Sequence, residues 1–63
     1  MPIYTTGTRV ELHPATDAWM MGDRYGVVVA VACRRGRVVY SVLCDRSGKV
    51  RRVVQGNIAG GIA

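Results

Sequence analysis

The stretch that decides the fold is residues 24–54, which read RYGVVVAVACRRGRVVYSVLCDRSGKVRRVV. Valine dominates this stretch, and a β-branched side chain suits a pleated, half-buried surface. Two interruptions, Arg34-Arg35-Gly36 and Asp45-Arg46-Ser47-Gly48, have the composition of turns. The stretch therefore predicts three strands joined by two tight hairpins, with the strands over residues 25–33, 37–44 and 49–54.

The flanking residues predict two further strands. Residues 8–13 alternate polar and apolar side chains, which places Val10 and Leu12 on one face of a half-buried strand. Pro14 ends that strand because it donates no backbone hydrogen bond, and residues 14–24 then form a long connection. Residues 55–58 are too short and broken for a long helix, and they predict a single 3₁₀ turn that leads into a brief last strand through Ile58. Because consecutive glycines are costly to order, we expect residues 58–63 to contain a flexible apolar tail.

The charge of the chain is unevenly placed. The 63 residues carry a net charge of +5. Residues 1–23 hold one arginine against three acidic residues, a net charge of −2, whereas residues 24–63 hold eight basic residues against Asp45 alone, a net charge of +7. A basic half predicts an anionic partner, with nucleic acid first and a membrane surface or an acidic protein after it. Eight of the nine basic residues are arginine, whose guanidinium can grip phosphate bidentately.

The predicted nucleic-acid-binding residues are one tryptophan and the eight basic residues of the central stretch. They are Trp19, Arg24, Arg34, Arg35, Arg37, Arg46, Lys49, Arg51 and Arg52. We expect a stripe of phosphate contacts along the third and fourth strands, with Arg51 and Arg52 pointing outward. Trp19 or Tyr25 would stack on a base. The other interpretation of Trp19 is structural, as a lid that covers one end of a barrel together with Met20 and Met21.

Arginine on a strand surface contacts phosphate before it contacts base edges. We therefore expect binding that is mostly independent of nucleotide sequence. The pattern does not distinguish DNA from RNA.

The sequence contains no constellation for catalysis or metal binding. His13 is the only imidazole, and the two cysteines form no CxxC pair. If Arg35-Gly36 centres the hairpin, Cys33 and Cys44 lie roughly 20 Å apart along the strands, too far for a disulfide. We expect two buried free thiols, no catalytic residue, no metal, no cofactor and no small-molecule substrate. The chain is predicted to be a non-enzyme.

The sequence also gives no sign of membrane insertion. Residues 1–7 lack the charged start and apolar run of a signal peptide. No apolar stretch approaches the roughly 20 residues that a membrane helix needs. These observations predict a cytoplasmic protein without a membrane partner.

Several segments carry a resemblance to a known class of small barrels. They are Gly7-Thr8-Arg9-Val10, residues 22–28 (GDRYGVV), residues 40–45 (YSVLCD) and Asn57-Ile58. Over nearly its whole length the chain resembles the KOW and Tudor-like group of SH3-like barrels. The resemblance implies a single all-β domain over residues 1–63, a five-stranded barrel with a long first loop and a 3₁₀ turn before the last strand. It also implies a module that binds RNA, DNA or protein without chemistry, and it defines no set of functional residues.

Two alternatives stay open at this point. The first is a protein-interaction or homo-oligomeric assembly module, because the central strands are apolar on both faces. Residues 27–31 are expected to be covered twice, and a chain this small buries little surface alone. The second, remote alternative is an enzyme: the chain is similar to type II dihydrofolate reductase in size and in Gly22-Asp23-Arg24. It departs from that family where Val54-Gln55 is followed by Gly56-Asn57 instead of Ile-Tyr.

Overall fold

The computed structural model describes residues 3–62, which form five β-strands with very little helix. The strands are β1 (Arg9–Leu12), β2 (Tyr25–Arg34), β3 (Arg37–Cys44), β4 (Val50–Val54) and β5 (Ile58–Ile62). One helical turn, α1 (Asp17–Met20), interrupts the long connection between β1 and β2. A 3₁₀ turn (Gln55–Asn57) joins β4 to β5. The predicted all-β class, long first loop and final 3₁₀ turn are confirmed.

The five strands make one antiparallel sheet in the order β4-β3-β2-β1-β5. The two edge strands, β4 and β5, are joined by only three residues, so the two edges of the sheet meet at that end. The sheet therefore curves around its own inner face, and the fold is a small, barrel-like one. The register pairs Arg34 with Arg37 and leaves Arg35-Gly36 as the tip of the β2–β3 hairpin, as the turn composition predicted.

The core is the inner face of the curved sheet. Every second residue of β1 and β3 points into it, as the period of two in a strand requires. Ala18 of α1 covers one part of this face. The buried apolar residues are Val10, Leu12, Ala18, Val28, Val38, Tyr40, Val42, Cys44, Val53 and Ile58.

Tyr40 connects the core to the N-terminal segment and to the 3₁₀ turn. Its buried hydroxyl donates to Oε1 of Gln55 (2.6 Å) and accepts from the backbone N–H groups of Ile3 (2.9 Å) and Tyr4 (3.2 Å). The Tyr4 ring packs edge-on against the Tyr40 ring, with 5.5 Å between centroids. One side chain of β3 thereby holds the N-terminal segment and the 3₁₀ turn together.

Gly26 lies at a close approach of β2 to β3. A Cβ atom at this position would lie 2.5 Å from Cγ1 of Val42 and 2.6 Å from the carbonyl oxygen of Leu43. The register of β2 against β3 then shifts between Val28 and Ala30, which is a β-bulge. The glycine and the bulge together let β2 bend across the core.

Three expectations from the sequence need correction. The predicted flexible tail is a strand: β5 pairs with β1 from Arg9 opposite Ile62 to Leu12 opposite Ile58. The edge of β1 supplies backbone hydrogen-bond partners that offset the entropic cost of ordering the glycines. Ala63 lies outside the described residues. The second half of β2 is not covered on both faces, because residues 29–34 are all exposed.

The third correction concerns the cysteines. Both are free, as predicted, and the register places Cys33 opposite Val38 and Cys44 opposite Gly26. Only Cys44 is buried, whereas Cys33 lies on the exposed half of β2. The valine-rich sequence around Cys33 did not reveal that no element of residues 3–62 covers this part of the sheet.

Candidate nucleic-acid interface

The surface of interest is the convex side of β2, β3 and β4, here called the outer face. Its side chains alternate with the core residues and lie in four rows across the strands. The rows are Val27-Leu43-Val50, Ala30-Ser41-Arg52, Ala32-Val39-Val54 and Arg34-Arg37. The outer face is thus a mixture of small or branched apolar residues with three arginines.

The outer face carries positive charge without a counter-charge. None of the three strands contains an acidic residue. The single carboxylate of residues 24–63, Asp45, forms an ion pair with Arg9 of β1. Within residues 3–62, no ion pair involves Arg34, Arg37 or Arg52. These three guanidinium groups are therefore available to an external anion.

Two of these arginines line one groove. A concavity of about 380 Å³ is formed by Ala32, Arg34, Val39, Ser41 and Arg52. The two guanidinium groups come from different strands, β2 and β4, while β3 passes between them and contributes Val39 and Ser41. The volume is at the lower end of the range for small-ligand sites.

The β2–β3 hairpin adds charge at the end of the outer face where Arg34 and Arg37 lie. Arg35 (φ 50°) and Gly36 (φ 78°) are both in the left-handed region, which is the geometry of a type I′ turn. Arginine in this conformation costs about 1 kcal/mol relative to a residue that tolerates it. Next to the turn, Arg34 and Arg37 are directly opposite each other, and like charges in that relation repel. An anion bound at this end would relieve the repulsion.

Arg51 does not belong to this surface, which corrects the prediction that it points outward. It shares the inner side of β4 with Val53, and its Nε donates to Oδ2 of Asp23 at 2.9 Å. Asp23 is only 2% exposed and also accepts from the Ser47 hydroxyl at 3.0 Å. Asp23 thereby fastens the first loop to β4 through Arg51 and to the β3–β4 turn through Ser47.

The electrostatics of Asp23 follow from these contacts. Burial alone would raise the pKa of its carboxyl group. The hydrogen bonds from Arg51 and Ser47, with the charge of Arg51, outweigh burial and lower the pKa below its ordinary value of 3.8. Asp23 is therefore ionised at neutral pH and keeps Arg51 engaged.

Four other predicted residues lie at the opposite end of the molecule, here called the turn end. They are Trp19, Arg24, Arg46 and Lys49, which lie in or beside the first loop and the β3–β4 turn. The Arg46 guanidinium packs against Gly22, and Arg24 lies over the Trp19 ring at 4.8 Å from its centroid. Since β3 separates this end from Arg37 by about 24 Å, the nine predicted residues form no single patch.

The first loop is not the lid that the alternative interpretation described. Met20 is 82% exposed and Met21 is also exposed, whereas the small Ala18 is buried. Trp19 is half-buried, and the Arg24 guanidinium occupies one face of its ring. Tyr25 is 41% exposed at the start of β2, on the same side of that strand as Val27. Tyr25 is therefore the more accessible aromatic ring of the two.

The sequence pattern did not predict three residues of the groove. Ala32, Val39 and Ser41 carry no charge and belong to no motif, so nothing marks them individually. The row in which each lies is defined by the strand pairing and the bulge in β2. Knowledge of that register would have identified all three.

The described residues offer little for other chemistry. Within residues 3–62, no group of three or more His, Cys, Asp or Glu side chains could hold a metal ion. Burial, followed by the nearby charge of Asp23, raises the pKa of the Cys44 thiol, so this thiol stays protonated at neutral pH. In the same range of residues, no helix has the length and apolar character to cross a bilayer.

Comparisons of the chain with protein-family models, curated proteins and solved structures give no match. The geometry of the outer face is therefore the basis for assigning a function.

Proposed function

We propose that this protein is a non-enzymatic, nucleic-acid-binding module of the SH3-like class, and that its outer face is the binding surface. The observation that carries the proposal is the groove between Arg34 and Arg52, where two guanidinium groups that no carboxylate of residues 3–62 pairs with flank one concavity. Arg37 extends the same surface, and Arg35 adds charge at the hairpin tip.

The spacing of the charges favours a polymer of anions over a single small anion. Arg52 lies beside Ser41, four residues along β3 from Arg37, which corresponds to about 14 Å. Backbone positions this far apart suit successive phosphates of a nucleic acid better than a single phosphate. The absence of acidic residues from all three strands also removes a source of repulsion.

Fluorescence anisotropy with labelled oligonucleotides tests the proposal. Three phosphate contacts at about 0.7 released counterions each predict a roughly 20-fold loss of affinity between about 50 and 200 mM salt for a single strand. Replacing Arg34 and Arg52 with Gln leaves one of these contacts, so the logarithmic salt slope falls to about −0.7.

A charge-matched variant provides the control. Arg46→Gln with Lys49→Gln removes the same net charge at the turn end, and we expect it to keep the wild-type salt slope. Equal losses in the two variants would indicate general electrostatic attraction without a site. No binding at low salt would refute the proposal.

The second candidate function is homo-oligomeric assembly, and a separate observation favours it. Val50 is 58% exposed on the outer face, Leu43 beside it is also exposed, and β4 lies at an edge of the sheet. A second copy could cover this apolar row and pair with that edge. Light scattering at low and high salt tests the idea: an apolar interface persists in high salt, and Val50→Lys dissociates it.

A further inference from the structure

We propose that the outer face prefers single-stranded nucleic acid, DNA or RNA, over a duplex. This inference rests on the proposed function and adds the class of nucleic acid to it. It depends on what lies between the arginines rather than on the arginines themselves.

Apart from Ser41, the side chains that line the groove between the two guanidinium groups are apolar. Ala32 and Val39 line the groove with the arginines, and Val54 lies in the same row and is exposed. A duplex keeps the faces of its bases inside the stack and presents mainly phosphate and sugar, which gain little from contact with valine. An unpaired base exposes its faces, and covering them with this surface removes apolar area from water.

The shape of the groove supports the same preference. Its volume of about 380 Å³ is bounded by Arg34 on one side and Arg52 on the other. A concavity of this size accepts one unstacked base with its sugar, whereas a base pair within a stack cannot enter it. The phosphates on either side of that base would then lie near the two guanidinium groups.

An aromatic side chain continues the outer face at the end opposite the β2–β3 hairpin. On β2, Tyr25 is the outward residue two positions before Val27; it is 41% exposed, and its ring lies tilted against the Trp19 ring with 6.5 Å between centroids. Trp19 is less suited to stacking because Arg24 covers one face of its ring. Single-strand binders combine a basic groove with aromatic side chains on which bases stack. The outer face offers such a path, with arginines at one end, apolar side chains between them and Tyr25 at the other end.

The test compares oligonucleotides of one mixed sequence, about 16 nucleotides long, near the upper site size of single-strand domains. Anisotropy titrations at low salt use the single-stranded DNA, the single-stranded RNA and the blunt DNA duplex. We expect at least one single strand to bind about 10-fold more tightly than the duplex. Equal or tighter binding of the duplex would overturn the inference.

Variants of Tyr25 separate stacking from general attraction. Tyr25→Leu should weaken single-strand binding about 10-fold, within the range for loss of one stacked base, and leave duplex binding unchanged. Tyr25→Phe keeps the ring and should bind like the wild type, which controls for folding. An equal loss with both substrates, or no loss with Leu, would refute the role of the ring.

The two proposals fail in different ways. If the duplex binds as tightly as the single strands and depends on Arg34 and Arg52, the strand preference is wrong and the proposed function stands. If no oligonucleotide binds at low salt, both are wrong.

Discussion

The two faces of the β2–β4 sheet have similar residue types and opposite environments. The inner face carries Val28, Val42 and Val53, which are buried beneath β1, β5 and α1. The outer face carries Val50 and Val54, which no element of residues 3–62 covers. Apolar composition therefore does not identify the core of this protein. The connections of the chain decide which valines are enclosed and which form a surface beside arginine.

Arg51 and Arg52 show the same contrast across one peptide bond. Arg51 turns inward to the buried carboxylate of Asp23, while Arg52 turns outward to the groove. One therefore has a structural role, and we propose a binding role for the other. Substitutions placed in matched pairs on the two faces test this difference.

The largest expected effect is on the inner face, at Gly26. Gly26→Ala places a methyl group against Val42 and the Leu43 backbone, and such overpacking should lower the free energy of unfolding by about 3 kcal/mol. Gly60→Ala in β5 is the matched control, because a Cβ there meets no atom of residues 3–62 within 4 Å. It should leave stability unchanged or raise it slightly. Urea denaturation measures both, and similar values for the two would contradict the close approach.

The next effect separates the neighbouring arginines. Arg51→Ala leaves the Asp23 carboxylate buried without its ion partner, so we expect a clear drop in the urea midpoint. Arg52→Ala removes an exposed side chain and should leave the midpoint nearly unchanged while it weakens oligonucleotide binding. If Arg52→Ala destabilises the fold as much as Arg51→Ala, the assignment of the two faces is wrong.

The Asp23 pair also predicts a dependence of stability on pH. The pKa of the Asp23 carboxyl group is lower in the folded protein than in the unfolded chain. Its contribution to stability is therefore present above pH of about 4 and is lost as the pH falls through the folded pKa. Thermal unfolding between neutral and acidic pH should show a shallower decline for Asp23→Asn than for the wild type. Ser47→Ala, which removes one of the two donors, should fall between them.

A smaller effect is expected at Tyr40. Tyr40→Phe keeps the buried ring and removes the hydroxyl that serves Gln55, Ile3 and Tyr4. The loss should be about 1–2 kcal/mol, because partners of the hydroxyl are left unsatisfied. Tyr25→Phe on the outer side of β2 should cost much less. Equal losses from the two substitutions would show that the Tyr40 network contributes nothing of its own.

The smallest effect is a gain at the hairpin tip. Arg35→Asn suits the type I′ turn better and should raise stability by up to about 1 kcal/mol. Arg34→Asn, at a neighbouring position without a positive φ, should give no gain. Thermal unfolding distinguishes the two. A destabilised Arg35→Asn variant would mean that the arginine side chain itself supports the fold.

The sequence determined the local features of this protein. Alternation and turn composition identified β3 at its observed bounds, the Arg35-Gly36 tip and the inward positions Val10 and Leu12. These features depend on neighbours along the chain, so the pattern of residues contains them. The consecutive glycines of residues 58–63 were misread as a flexible tail, because the stability of β5 comes from its pairing with the edge of β1 and not from the propensity of its residues.

Only the tertiary structure decided which side of each strand meets protein and which meets solvent. Strand order and register explain why Cys44 is buried and Cys33 is exposed. They also explain the pairing of Arg51 with Asp23 and the groove between Arg34 and Arg52. Strand order and register depend on contacts between residues far apart in the chain, which local pattern does not encode. The candidate site is therefore a property of the folded sheet, while its charge could be predicted from the sequence.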